Sequence, residues 1–181
     1  RAPQAEVLEP GYKYNMTDVQ ASLGLHQLAR LEHSLTVRER IWAMYDDAFA
    51  DLEGVTVRRI PPDPGSRHAR HLYTVALDLE HLECDRMGFI AAVSAENVGT
   101  GIHFLPVHLH RHYRTTYGTK RGDYPNADRI GHRTVSLPLS ASMSEDDARD
   151  VIAAVTKVAC RYARSESGDG PDVESAMREA A

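Results

Sequence analysis

Two runs of helically spaced apolar residues stand back to back near the start of the chain. Val19, Leu23, Leu28, Leu31 and Leu35 carry the first run. Ile41, Met44, Tyr45, Ala48 and Phe49 carry the second, over residues 37–52, until Gly54 stops it. Downstream, short alternating segments mix with shorter helical ones. A long helical entry followed by mixed elements excludes a pure bundle and a pure sandwich. It predicts a mixed α+β (α/β) fold, a small sheet covered by helices.

The downstream elements follow from local signals. Val55–Ile60 and the alternating His71–Asp78 read as strands, separated by a loop rich in Pro61, Pro62, Pro64 and Gly65. Residues 85–96 read as a helix with Met87, Ile90, Ala91 and Val93 inward. Val98–Phe104 reads as a strand interrupted by Gly99 and Gly101. Residues 126–133 form a short helix, and Thr134–Leu139 a strand ended by Pro138. Ser144 and Asp147 have capping-box spacing ahead of a last helix whose apolar face is Val151, Ile152, Val155, Val158 and Ala159. Beyond Arg164 the composition turns to Ser, Gly, Asp, Glu and Pro, which predicts a disordered tail.

Bulk properties narrow the function classes. The 181 residues carry a net charge of −5, so no basic field invites nucleic acid. No apolar run approaches the roughly 20 residues of a membrane span. Two cysteines, Cys84 and Cys160, make no disulfide framework, and a reducing cytoplasm is the expected location.

Two segments hold the residues with chemistry. The first is the aromatic loop Gly11-Tyr12-Lys13-Tyr14-Asn15-Met16, joined to a helix that Thr17 caps and Asp18 favours electrostatically. The second runs from Glu96 to Arg114 and contains His103, His108, His110 and His112. His108, His110 and His112 alternate, so they would share a face on a strand; on a helix His108 and His112 would. No carboxylate or cysteine lies close in sequence to complete a metal site, and none is assigned. Arg58, Arg59, Arg67, Arg70, His68 and His71 make a basic patch around the proline loop, read as a solvated surface.

The block Gly11–Ala21, continued by Leu23-Gly24-Leu25-His26-Gln27-Leu28, resembles the segment after the cofactor lysine in sugar aminotransferases of the DegT/DnrJ/EryC1/StrS family. Gly101-Ile102-His103 with His108, and later Ser136-Leu137-Pro138, resemble further family signatures. The resemblance implies a fold-type I pyridoxal phosphate (PLP) transferase, of which this chain would be the C-terminal small domain preceded by a long helix. It implies that Asn15 hydrogen-bonds the cofactor phosphate held by another subunit, with Lys13 near the same mouth. It makes Tyr12, His103 and His108 the candidates to contact a nucleotide sugar. The implied reaction moves an amino group from glutamate to a nucleotide-linked keto sugar. The wording of Tyr12–Asp18 is closer to members acting at C4 of the sugar than at C3. A few family members are dehydratases instead.

In the family, the lysine that holds the cofactor, the acid paired with its pyridine nitrogen and the aromatic against its ring all lie upstream of this block. Lys13, Lys120 and Lys157 are the lysines here, and none stands in that context. The chain also begins at Arg1 rather than Met. The expectation is therefore a fragment, with no catalytic residue of its own and with PLP bound mainly by a domain outside it. Its divisions would be an interface arm and cofactor-facing loop at 1–16, a helical connector at 17–52, a small domain at 53–164 and the tail at 165–181. The expected partner is a second copy or a full-length homologue; a degenerate, non-catalytic half pairing with such a homologue is the alternative.

Overall fold

The computed structural model describes residues 11–12, 14–57 and 64–164. The arm at 1–10, Lys13, the segment 58–63 with Arg58 and Arg59, and the tail from 165 lie outside the described residues.

Two helices open the described chain: α1 (Asp18–Ala29) and α2 (Leu31–Ala48). Arg30 closes the first and starts the second, so the first apolar run, expected from Val19 to Leu35, breaks there and its last two leucines belong to α2. The two halves then part company. α1 buries none of its residues, and Val19, Leu23 and Leu28 are all more than half exposed. By contrast α2 belongs to the core, where Ile41, Tyr45 and Phe49 recur at four-residue spacing and are almost fully buried.

The sheet has three antiparallel strands in the order β1 (Val55–Thr56), β2 (Tyr73–Leu77), β3 (Thr134–Leu137). Central β2 alternates as its sequence predicts. Tyr73, Val75 and Leu77 are buried on one face, while Thr74 and Ala76 point to the other. Register places Tyr73 opposite Leu137, Val75 opposite Val135, and Val55 opposite Leu77.

Against the buried face pack α2, α3 (Arg86–Ala95) and α6 (Glu145–Tyr162). The Tyr73 ring meets Trp42 at 4.8 Å and Tyr45 at 4.9 Å, both edge-on, which aromatic quadrupoles favour. α6 follows its sequence closely. Ser144 Oγ accepts from Asp147 N–H, the Asp147 carboxylate accepts from Ser144 N–H, and Val151, Val155, Val158 and Ala159 are buried.

Two further elements depart from expectation. In α3 the inward side chains are Phe89 and Val93, with Ile90 partly buried; Met87 and Ala91 are exposed. The bulky Phe89 sets the phase of so short a helix. The strand expected at Val98–Phe104 shrinks to one bridge, in which Gly101 and Ser136 exchange both backbone hydrogen bonds at 2.8 and 2.9 Å. β3 ends one residue later, before Pro138, which limits pairing of the residues ahead of Gly101; after Gly101 the chain turns away from β3, and His103 folds back onto Ser136. The chain after the bridge forms a loop, a 3₁₀ turn at Val107–Leu109 and α4 (Arg111–Tyr117). α5 (Pro125–Arg133), with Pro125 in its first turn, leads into β3.

Candidate functional site

The amino-terminal loop is built on the α1 cap. Thr17 Oγ1 accepts from Gln20 N–H at 3.3 Å, and the Gln20 side-chain oxygen accepts from Thr17 N–H at 3.0 Å. Thr17 was legible as a cap; its reciprocal partner Gln20 completes a capping box. Ahead of it, Tyr12 and Tyr14 are 86% and 85% exposed with rings 5.9 Å apart. Asn15 is exposed too, and its amide has no partner among the described residues.

The second candidate set lies at the sheet. Gly101 brings the chain alongside β3, and the chain then turns back so that His103 Nδ1 sits 2.8 Å from Ser136 Oγ. A Cβ at position 101 would stand 2.8 Å from His103 Cε1, so glycine is what lets the ring fold over. Gly99 has open space around it. The peptide between His103 and Phe104 is cis.

His103 lines a cleft of about 490 Å³ on the open face of the sheet, with Thr56, Thr74, Thr134, Arg129 and Arg133. α5 supplies two arginines to one wall, Arg129 and Arg133, one helical turn apart, and Asp78 lines the same cleft. Arg133 donates to Glu80 at 2.8 Å and stands 3.7 Å from Asp78. Burial pushes the Asp78 carboxyl up. The Glu80 N–H, His81 and Arg133 together outweigh that and hold it below its ordinary value.

The other histidines separate. His108 is buried, and its Nε2 lies 3.1 Å from Asp128 Oδ1. Asp128 Oδ2 accepts from Gly122 N–H at 2.7 Å. That hydrogen bond, helped by His108, holds the Asp128 carboxyl below the usual carboxylate range despite the opposing effect of burial. His110 reaches the Leu105 carbonyl oxygen at 3.2 Å, and His112 packs on Tyr113 and Tyr117. The helix that would have put His108 and His112 on one face starts only at Arg111, and no strand spans the three. Among the described residues no group of three or more His, Cys, Asp or Glu is arranged to hold a metal ion.

Asp128 and Ser136 are the site residues that sequence reasoning passed over; residues 124–130 and 135–139 read as purely structural. Each meets its histidine across 20 and 33 residues respectively, a distance at which no local spacing signals a pair. Of the basic patch, two described members have partners: Arg67 pairs with Glu32 at 2.7 Å, and the Arg70 guanidinium stacks 4.6 Å from the Trp42 ring. No hydrogen bond, ion pair or ring contact among the described residues links the Tyr12–Asn15 loop to His103 or His108.

The fold is shared with part of larger aminotransferases, of whose solved structures this chain covers about two fifths. The family model for DegT/DnrJ/EryC1/StrS aminotransferases matches residues 2–156. The spore coat polysaccharide biosynthesis protein SpsC of Bacillus subtilis is 46% identical over 154 residues, which are 84% of this chain and 39% of SpsC. An uncharacterized protein of Methanocaldococcus jannaschii is 44% identical over 153 residues, again 84% of this chain and 39% of its own length. Among solved structures, Spr1654 from Streptococcus pneumoniae in its PLP form superposes with a TM-score of 0.76 at 28% identity, covering 86% of this chain and 39% of that one. The chain belongs to the DegT/DnrJ/EryC1/StrS aminotransferase family. It spans about two fifths of the length of the curated relatives it matches.

Proposed function

We propose that this chain is the C-terminal part of a PLP-dependent aminotransferase that passes an amino group from glutamate to a nucleotide-linked 4-keto sugar. The observation that carries this reading is family membership over residues 2–156, including both the Tyr12–Asn15 loop and His103. SpsC, a polysaccharide biosynthesis protein by name, supports a product destined for a cell-surface polysaccharide, with an antibiotic sugar as the other outlet.

In this reading the division at 1–16, 17–52 and 53–164 is one of labour. The exposed amide of Asn15 donates to the cofactor phosphate across a dimer interface, a charge-assisted bond, and Lys13 adds positive charge there. The fit is peripheral: an exposed amide suits a phosphate edge, while the covalent attachment belongs to a domain outside this chain. Bound PLP supplies the electron sink for amino transfer. His103 and Tyr12 orient the sugar nucleotide, with His103 donating to or accepting from a hydroxyl or phosphate oxygen according to its tautomer. No helix among the described residues is long and apolar enough to cross a membrane. We place the reaction in the cytoplasm, a reading that the free thiols of Cys84 and Cys160 support.

Two measurements test the proposal. The purified chain is mixed with PLP, reduced with borohydride and mapped by mass spectrometry. No lysine adduct is expected, and a stoichiometric adduct at Lys13, Lys120 or Lys157 overturns the division of labour. The chain is then co-expressed with the large domain of SpsC. Glutamate-dependent amination of a UDP-linked 4-keto sugar is expected from the co-purified pair, weakened by His103→Ala. A pair that assembles, binds PLP and aminates no keto sugar refutes the activity.

A further inference from the structure

The loop from His103 to His108 is fastened at three points. At one end is the His103–Ser136 contact at 2.8 Å. In the middle the Pro106 ring sits on Gly131 of α5, so tightly that a Cβ there would meet Pro106 Cγ. At the other end is the buried His108–Asp128 pair. Between these points Phe104, Leu105 and Val107 are 72%, 49% and 60% exposed. Large apolar side chains held out in water on a loop require a frame that prevents them from folding back onto the core.

We infer that Asp128, acting through His108, is the positioning residue that sets the Phe104–Val107 lip against the cleft wall. Both oxygens of Asp128 are committed: Oδ1 to His108 and Oδ2 to the Gly122 N–H. The same turn returns a bond, because Thr119 Oγ1 donates to the His108 carbonyl oxygen at 2.7 Å. The Tyr124 ring lies 5.0 Å from the imidazole and shields it. One carboxylate therefore ties the segment before α4 to the segment before α5. Asp128 and Gly131 are three residues apart on α5 and hold the lip, while Arg129 and Arg133 of the same helix line the cleft. The lip and the two arginines are in this way referenced to one rigid element.

An ionised carboxylate only accepts hydrogen bonds, so Asp128 fixes the imidazole proton on Nε2. His108 thereby has a role distinct from the sugar contact expected of it: buried behind Tyr124, it orients the residues that meet a ligand. This inference rests on the aminotransferase reading only for what the lip contacts; the geometry of the lip is independent of it.

The test is ¹H–¹⁵N NMR on the chain as it stands, following the amides of 104, 105 and 107, the imidazole nitrogens and, as controls, the core methyls of Leu77 and Val155. In the wild type His108 is expected in the Nε2–H form. His108→Gln, whose amide N–H₂ reaches the same place, is expected to retain the lip resonances. His108→Ala, Asp128→Ala and the isosteric Asp128→Asn are expected to shift or broaden all three lip amides and leave the core methyls unmoved; in Asp128→Ala the His108 Nε2–H preference is lost, while Asp128→Asn keeps one oxygen to accept it and loses the acceptor for the Gly122 N–H. Lip amides unchanged in Asp128→Asn, or changes spread evenly through the core, overturn the inference. Failure of the amination assay would leave these signals as they are, so the two readings fail separately.

Discussion

The Tyr45 hydroxyl donates to the Pro138 carbonyl oxygen at 2.9 Å, joining the middle of α2 to the chain just past β3. Tyr45 is fully buried, and burial, with the Asp147 carboxylate adding to it, pushes its hydroxyl well above the ordinary phenol range. The hydroxyl is therefore a permanent donor at any physiological pH. Tyr45→Phe keeps the ring contacts with Phe49 and Tyr73 but leaves the carbonyl without this donor. A loss of about 1 kcal/mol is expected, read as a lower urea midpoint at unchanged slope.

Gly54 has φ of +76°, and a Cβ there would stand 2.5 Å from Leu82 Cδ2. Leu82 is itself buried and cannot swing away. Backbone strain and overpacking push in the same direction, so Gly54→Ala should cost about 2–4 kcal/mol. Chemical denaturation of the variant checks this; a change within about 0.5 kcal/mol would show that the turn relaxes freely.

Ser144 and Asp147 satisfy each other's backbone at the start of α6, at 3.1 and 2.7 Å. Ser144→Ala removes one half of the box and should destabilise the chain by about 1 kcal/mol. Hydrogen exchange should locate the effect, with faster exchange confined to the first turn of α6.

Asp128 and Asp147 are both held below their ordinary values, chiefly by the Gly122 and Ser144 N–H groups respectively. A carboxyl whose folded pKa is depressed binds protons more tightly when unfolded. Its stabilisation is complete above the unfolded value of about 3.9 and is lost as pH falls through the folded one. Urea midpoints should be flat through neutrality and fall on the acid side of that value. Asp128→Asn and Asp147→Asn should each lower the neutral plateau and flatten the acid limb. An acid limb identical to wild type in both variants would show that other carboxyls govern it.

How much was legible follows from how far each interaction reaches. The Thr17 and Ser144 caps, the α2 and α6 stripes and the alternation of β2 lie within a few residues of chain, and the structure shows each of them. The phase of α3 was misread because ten residues give two competing stripes, and only the sheet decides that Phe89 enters the core. The strand expected after Val98 has strand-like residues, yet a strand needs a neighbour. Gly101 bridges to Ser136, and the residues after it turn away from β3 instead of pairing along it.

Sequence alone was enough for most of the local elements, the mixed fold and the loop and histidine segments that mark the family. Propensity, capping and periodicity act over one or two turns and need no distant partner. Only the tertiary structure decided which histidine faces a cleft and which is buried. That choice depends on Ser136 and Asp128 arriving from 33 and 20 residues away. A buried imidazole is tolerated only where such a partner satisfies its N–H, and no spacing rule along the chain can announce that in advance.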